Sequence, residues 1–219
     1  MDLAARIRAD LRAAADPSRA PGQQAYMKSA MPFLGVRVPN VRRIARAAAA
    51  EAPDARGLLA VARRLWDDAT HREERYAAEA LLTLRPVRGD LAVVPLVEHM
   101  VRTGQWWDIT DELSGRMADL HDAHPDETAA LVRAWSVDDD IWIRRIAILS
   151  QLGRRDRLDT VLLADVIEPS LARREFFLRK AIGWALRDHA RVAPAWVERY
   201  AASHELSPLS RREALKHFG

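Results

Sequence analysis

Apolar residues recur along the chain at three- and four-residue spacings, in runs of about three turns. Turn-favouring residues cut these runs, most clearly RPVRGD at 85–90, His124-Pro125 and SVDDD at 136–140. No sustained alternation of β-branched residues marks a strand. The pattern predicts an all-α fold. Near the C-terminus, Ser210 and Glu213 form an S-x-x-E pattern that predicts the capping box of a last helix.

Sliding the helical segments past one another exposes an internal interval. Trp107 and Trp142 lie 35 residues apart, Phe177 lies 35 beyond, and Arg72 stands one step earlier. Ala78, Leu113, Ile148 and Gly183 make a mostly apolar column at the same interval. Leu82, Met117 and Leu152 make a second, broken at Arg187. Each repeat then reads as two antiparallel helices. Stacking them predicts one domain over residues 1–219, a short curved solenoid of HEAT-like helix pairs with atypical ends. One further column holds Arg75, Thr110, Arg145 and Lys180, and its neighbour holds Tyr76, Asp111, Ile146 and Ala181. If the second helices line the concave surface, the first of these columns is a basic stripe suited to a DNA backbone. The other reading puts Arg145 and Lys180 on solvated faces.

Composition narrows the function classes. With 49% hydrophobic residues in 219, the chain can bury a continuous core, and the absence of cysteine excludes disulfides and thiolate metal sites. MDLAARIRADLRAAAD carries charge throughout, and no segment approaches membrane-spanning length, so a soluble cytoplasmic protein is expected. All but three of the 34 basic residues are arginine, the exceptions being Lys28, Lys180 and Lys216. A net charge of +3 says little about partners, and the bulk arginine excess reads first as genomic base-composition bias, with phosphate binding as the other reading. Placement says more: residues 171–191 hold six basic groups against Glu175 and Asp188. There is no H-E-x-x-H, no phosphate-binding G-x-x-x-x-G-K-[ST] loop and no G-x-S-x-G elbow. His121 and His124 flank a loop and read as a surface pair, with no third ligand at a metal-binding spacing.

The candidate chemistry lies in WWDITDELSGRMA at 106–118. Trp107, Asp111 and Ser114 share one helix face, and Asp111 stands where other repeats have Tyr, Ile or Ala. A capping or salt-bridging role would also explain an acid there, and fits Asp108, nearer the helix start, better still. Of seven tryptophans, Trp66, Trp135 and Trp196 are assigned to packing. Trp107 and Trp184 stand apart because their helices also carry the column residues. Trp184 follows Lys180 by four, which puts ring and ammonium on one face.

QWWDITDE, DDDIWIRRIAILSQL, REFFLRKAIGWALRDHA and LSPLSRREALKH resemble the AlkD family of DNA alkylation repair glycosylases, which are HEAT-like repeat proteins. AYMKSAMPFLGVRVPNVRR is similar to that family's opening segment, and the likeness runs from about Tyr26 to His217. The resemblance implies that Asp111 is the catalytic carboxylate and that Trp107 and Trp184 flank the damaged nucleotide. It implies that Arg145 is the active-site arginine and that Tyr26 lies near the lesion. Lys180, Arg187, Arg42 and Arg43 become candidate DNA contacts. At VRVPN, Arg37 and Val38 stand in place of more polar residues that meet the DNA backbone in the family.

The implied activity is hydrolysis of the N-glycosidic bond of N3- or N7-alkylated purines in duplex DNA, by a monomer with no metal or cofactor. Such a base is already cationic and leaves neutral, so no general acid is needed. What remains is to stabilise an oxocarbenium-like sugar and admit water. Arg145 would then anchor phosphate or tune Asp111. The alternatives are a non-catalytic HEAT-like module that binds nucleic acid, and a protein scaffold whose tryptophans are all core.

Overall fold

The computed structural model describes residues 2–50 and 54–216; His217, where the resemblance ends, lies outside them. Among the described residues are thirteen α-helices, three short 3-10 segments and no strand, as the sequence pattern predicts. The chain divides into two compact units, 1–96 and 97–219.

The first unit contains α1 (Leu3–Ala13), α2 (Ala20–Met27), α3 (Val38–Ala49), α4 (Ala55–Asp67) and α5 (Arg72–Leu81). Helix α5 packs against α1, α3 and α4. Those three turn Ile7 and Leu11, Val41 and Ile44, and Leu58 and Leu65 inward at helical spacing. Helix α5 is buried almost all round, charged residues included. Its two glutamates are satisfied differently. The Glu73 carboxylate accepts from the backbone N–H groups of Leu34 (2.9 Å), Gly35 (2.9 Å) and Val36 (3.1 Å). Glu74 accepts from Arg8 at 3.2 Å, Arg12 at 3.1 Å and the Thr70 N–H at 3.2 Å. Glu73 thus pins the loop that leads into α3. At Gly35 this loop has φ +88°, and a Cβ there would lie 2.0 Å from the Asp16 carbonyl oxygen.

The second unit takes in most of α6 (Val94–Gly104), then α7 (Trp107–Ala123), α8 (Pro125–Ser136), α9 (Ile141–Leu149), α10 (Thr160–Ile167), α11 (Phe176–Ala190), α12 (Pro194–Ser203) and α13 (Pro208–Ala214). Helices α7, α9 and α11 lie in one row, α9 touching both others. Helix α8 packs on α7 and α9, α10 on α8 and α9, and α12 on α11, forming the second layer of a solenoid-like helix stack. The apolar column is buried at Leu113, Ile148 and Gly183, and so is Met117 of the second column. The breaks fall as predicted. Pro125 opens α8, and the Asp140 side chain accepts from the Trp142 N–H to cap α9. Arg144 locks that turn by donating to the carbonyls of Ser136, Val137 and Asp138.

Two local expectations are corrected. Helix α13 is capped by Ser207, whose hydroxyl accepts from the Ser210 N–H, with Pro208 at its first position. The cap therefore lies three residues earlier than the S-x-x-E pattern suggested. Ser210 and Glu213 are freed to face α11. His121 is buried at the end of α7, its Nε2 3.3 Å from the Ser150 hydroxyl, because the last turn of this long helix still packs inward. It is not half of a surface pair. No helix among the described residues is long and apolar enough to cross a membrane.

Candidate active site

Three helix starts set the geometry. Helices α7, α9 and α11 begin at Trp107, Ile141 and Phe176, so their fifth residues are Asp111, Arg145 and Lys180. The fixed 35-residue interval had matched Thr110 to Arg145 instead. The structure shifts α7 by one: the chain enters it through Gln105 at φ +42° and an extended Trp106. Thr110 is buried, its hydroxyl donating to the Trp106 carbonyl, while Asp111 takes the place opposite Arg145.

The aromatics shift in the same way. Trp106, rather than Trp107, meets Trp142 (ring centroids 6.0 Å apart) and Phe177 (5.5 Å), and Trp142 meets Phe177 at 4.9 Å. Phe176 stands edge-on to Phe177 and is exposed. These rings pack the N-terminal ends of the three helices together in an apolar wedge.

Against that wedge lies the ion pair. Arg145 donates from Nε to Asp111 Oδ1 at 2.7 Å and from Nη2 to Oδ2 at 2.8 Å, a two-point fork. Its Nη1 donates to the Phe177 carbonyl at 2.5 Å, and its guanidinium carbon lies 5.9 Å from the Phe177 ring centroid. The Arg145 side chain is 4% exposed and that of Asp111 16%. Burial pushes the Asp111 carboxyl above its ordinary value, Arg145 pulls it back, and Asp108 adds a smaller upward push. The two arginines of IWIRR thus divide their work: Arg144 locks a turn and Arg145 holds the acid. Ser114 is not a partner of the carboxylate, since its hydroxyl donates to the Asp111 backbone carbonyl at 2.7 Å.

The remaining sequence candidates fall in separate places. Trp107 is half-buried at the first position of α7, and Trp184 is half-buried on α11 against the C-terminal core. Trp66 and Trp135 are buried, and Trp196 stacks on Tyr200, as packing roles require. Lys180 and Arg187 converge on Glu213, at 3.0 Å and 2.5 Å. In the first unit, Tyr26 of α2 is 73% exposed, Arg42 and Arg43 of α3 are exposed, and Arg75 lies over the Trp66 ring at 4.5 Å. The expected stripe is therefore not an open row of charge. Its members are buried, ring-stacked or paired with acids. Sequence reasoning missed Trp106, Arg144, Glu73 and Glu213. The sequence carries a signal only for Trp106, as the other half of the WW pair, and for Glu213, as the last residue of the S-x-x-E pattern. Among the described residues no group of three His, Asp or Glu side chains is placed to hold a metal.

No curated protein matches the chain. Among solved structures, one described as a predicted DNA alkylation repair enzyme from Enterococcus faecalis is similar at 28% identity. That match covers 94% of this chain and 97% of the other, with a TM-score of 0.84. The family model described as DNA alkylation repair enzyme matches residues 7–218, and the chain belongs to that family.

Proposed function

We propose that this protein is a monofunctional DNA glycosylase that hydrolyses the N-glycosidic bond of N3- or N7-alkylated purines in duplex DNA, with Asp111 as its catalytic carboxylate. The observation that carries this reading is the Asp111–Arg145 fork. A largely buried carboxylate is held in fixed orientation by a buried guanidinium, on the helix that also carries the half-buried Trp107. A carboxylate has four lone-pair sites, and the fork engages two, leaving two for a sugar cation or a water.

The chemistry asks little more. In an alkylated purine the C1′–N bond breaks with its electron pair passing to the base, which cancels the positive charge the base already carries. Asp111 stabilises the oxocarbenium-like sugar left behind and orients water, whose oxygen bonds to C1′ while its proton passes to Asp111 or solvent. Trp107 and Trp184 flank the lesion sugar and exclude water. Tyr26, Arg42, Arg43, Lys180 and Arg187 serve the duplex, and a monomer suffices. Arg145 tunes and orients the acid rather than meeting phosphate, because its guanidinium donates to Asp111 and to the Phe177 carbonyl.

Release of free base from duplex DNA containing 7-methylguanine, detected without heating, tests the reading. Wild type is expected to release base, and Asp111→Asn to bind the duplex without releasing it. If wild type binds yet frees neither 7-methylguanine nor 3-methyladenine, the chain is a HEAT-like binding module and the assignment of Asp111 is wrong.

A further inference from the structure

Helix α13 is seated on α11 at three points. A Cβ at Gly183 would lie 2.5 Å from the Glu213 Cβ and 2.9 Å from the Ser210 carbonyl oxygen, so a glycine is what lets the two helices approach so closely. The Ser210 hydroxyl donates to the Arg179 carbonyl at 2.9 Å. Glu213 then accepts from Lys180 Nζ on Oε1 and from Arg187 Nη1 on Oε2. Lys180 and Arg187 are seven residues apart, two turns along one face of α11, and bend toward a single anion. Both cations keep part of their surface in solvent, Lys180 at 36% and Arg187 at 21%. Together they hold the Glu213 carboxyl below its usual range.

We propose that Glu213 is a built-in stand-in for a DNA phosphate, occupying the Lys180–Arg187 pair until the duplex arrives and so limiting affinity for undamaged DNA. The inference rests on reading Lys180 and Arg187 as phosphate contacts. A carboxylate offers these donors the same paired oxygens as a phosphate, with one negative charge against their two positive ones. An incoming phosphate finds half of the local charge already cancelled and must share or displace the carboxylate. A repair enzyme that searches long stretches of intact duplex benefits from weak non-specific binding, which lets it leave sites without a lesion.

The test is fluorescence anisotropy with an undamaged labelled duplex over a range of salt, alongside thermal unfolding. Glu213→Gln is expected to bind about eightfold tighter at 0.1 M salt and to steepen the log–log salt slope by about 0.9, the effect of one further neutralised phosphate. Lys180→Gln/Arg187→Gln is expected to bind more weakly than wild type. If that double variant binds like wild type, the two cations do not meet phosphate and the underlying reading fails, whatever Glu213 does. If the double variant weakens binding while Glu213→Gln leaves it unchanged or weaker, Glu213 is a brace and the proposal is overturned. Glu213→Met repeats the test should the glutamine variant unfold. Unfolding of both assigns Glu213 to seating α13 and overturns the proposal equally.

Discussion

The Asp111–Arg145 fork sets a limit on how much Asp111 alone can contribute. A carboxylate about 4 Å from a sugar cation is worth roughly 4 kcal/mol at an effective dielectric near 20. For a sugar cation that meets the lone pairs the fork leaves unused, the guanidinium stands on the carboxylate's other side. With its charge about 8 Å from the same cation, it opposes that attraction by roughly 2 kcal/mol. The pair together then supplies about 2 kcal/mol, near thirtyfold in rate. Asp111→Asn removes the attraction but leaves the buried positive charge, so the site moves from about 2 kcal/mol of help to about 2 of hindrance, a loss near a thousandfold. Removing both charges in Asp111→Asn/Arg145→Gln leaves a neutral site that is slower than wild type by only about thirtyfold. The double variant is therefore expected to be faster than the single one. Single-turnover release of 7-methylguanine with enzyme in excess isolates the chemical step, and each variant is assayed below its own unfolding temperature. Breaking a buried pair costs about 3 kcal/mol of stability, so that precaution matters. A double variant no faster than Asp111→Asn would refute the field argument, and a fully active Asp111→Asn would refute the assignment itself.

Three further outcomes follow from the structure. Arg145→Gln removes the group that pulls the Asp111 carboxyl down and leaves burial to push it up, so the acid limb of single-turnover rate against pH is expected to move to higher pH; an unmoved limb would mean Arg145 does not govern that ionisation. Burial, helped by nearby Arg154, lowers the His121 imidazole to about 4 from its usual 6.5. Below pH 6.5 the unfolded chain takes up a proton that the folded one refuses. Stability should therefore fall between pH 6.5 and 4, by up to about 3 kcal/mol, and level off below. Urea midpoints across that range are expected to flatten in His121→Gln, and an unchanged slope would assign it to other groups. In the first unit, Glu73→Ala strips the acceptor from three backbone N–H groups and is expected to cost about 3 kcal/mol or more. Gly35→Ala should be comparably harmful, because of its positive φ and the Asp16 carbonyl. Denaturant titration of either variant at wild-type stability would contradict the pinned-loop account.

The helical fold was legible because its signals are local. Pro125 opens a helix where a proline is tolerated, Asp140 caps one, and the apolar column at Leu113, Ile148 and Gly183 is buried where the interval placed it. The register of the site was not legible to the same degree. A fixed interval assumes that every connection has the same length, whereas α7 and α9 begin 34 residues apart and α9 and α11 begin 35 apart. One residue of slip turns a helical position by about 100°, enough to exchange buried Thr110 for Asp111. The resemblance named Asp111 and Arg145 together, but repeat arithmetic assigned them to different columns. Only the fork shows that the acid and the base of the site are partners.

The same limit applies to charge. The repeat column of Arg75, Thr110, Arg145 and Lys180 allows a basic stripe in the sequence, because a sequence lists cations without their counterions. Arg145 is neutralised by Asp111 from α7, and Lys180 and Arg187 by Glu213 from α13. None of these acids lies within one helical turn of its partner in the chain, so no local pattern reveals them. The consequence is functional as well as interpretive. In the second unit, each cation singled out for nucleic acid or catalysis comes with an acid that sets how much of its charge is available. At Arg145 the acid is the proposed catalyst, and the arginine tunes it; at Lys180 and Arg187 the roles reverse, and the acid restrains the cations. If both halves of this scheme hold, the chain's affinity and its chemistry are controlled by two carboxylates, Asp111 on α7 and Glu213 on α13. A substitution at either one should then alter one property while leaving the other near its wild-type value.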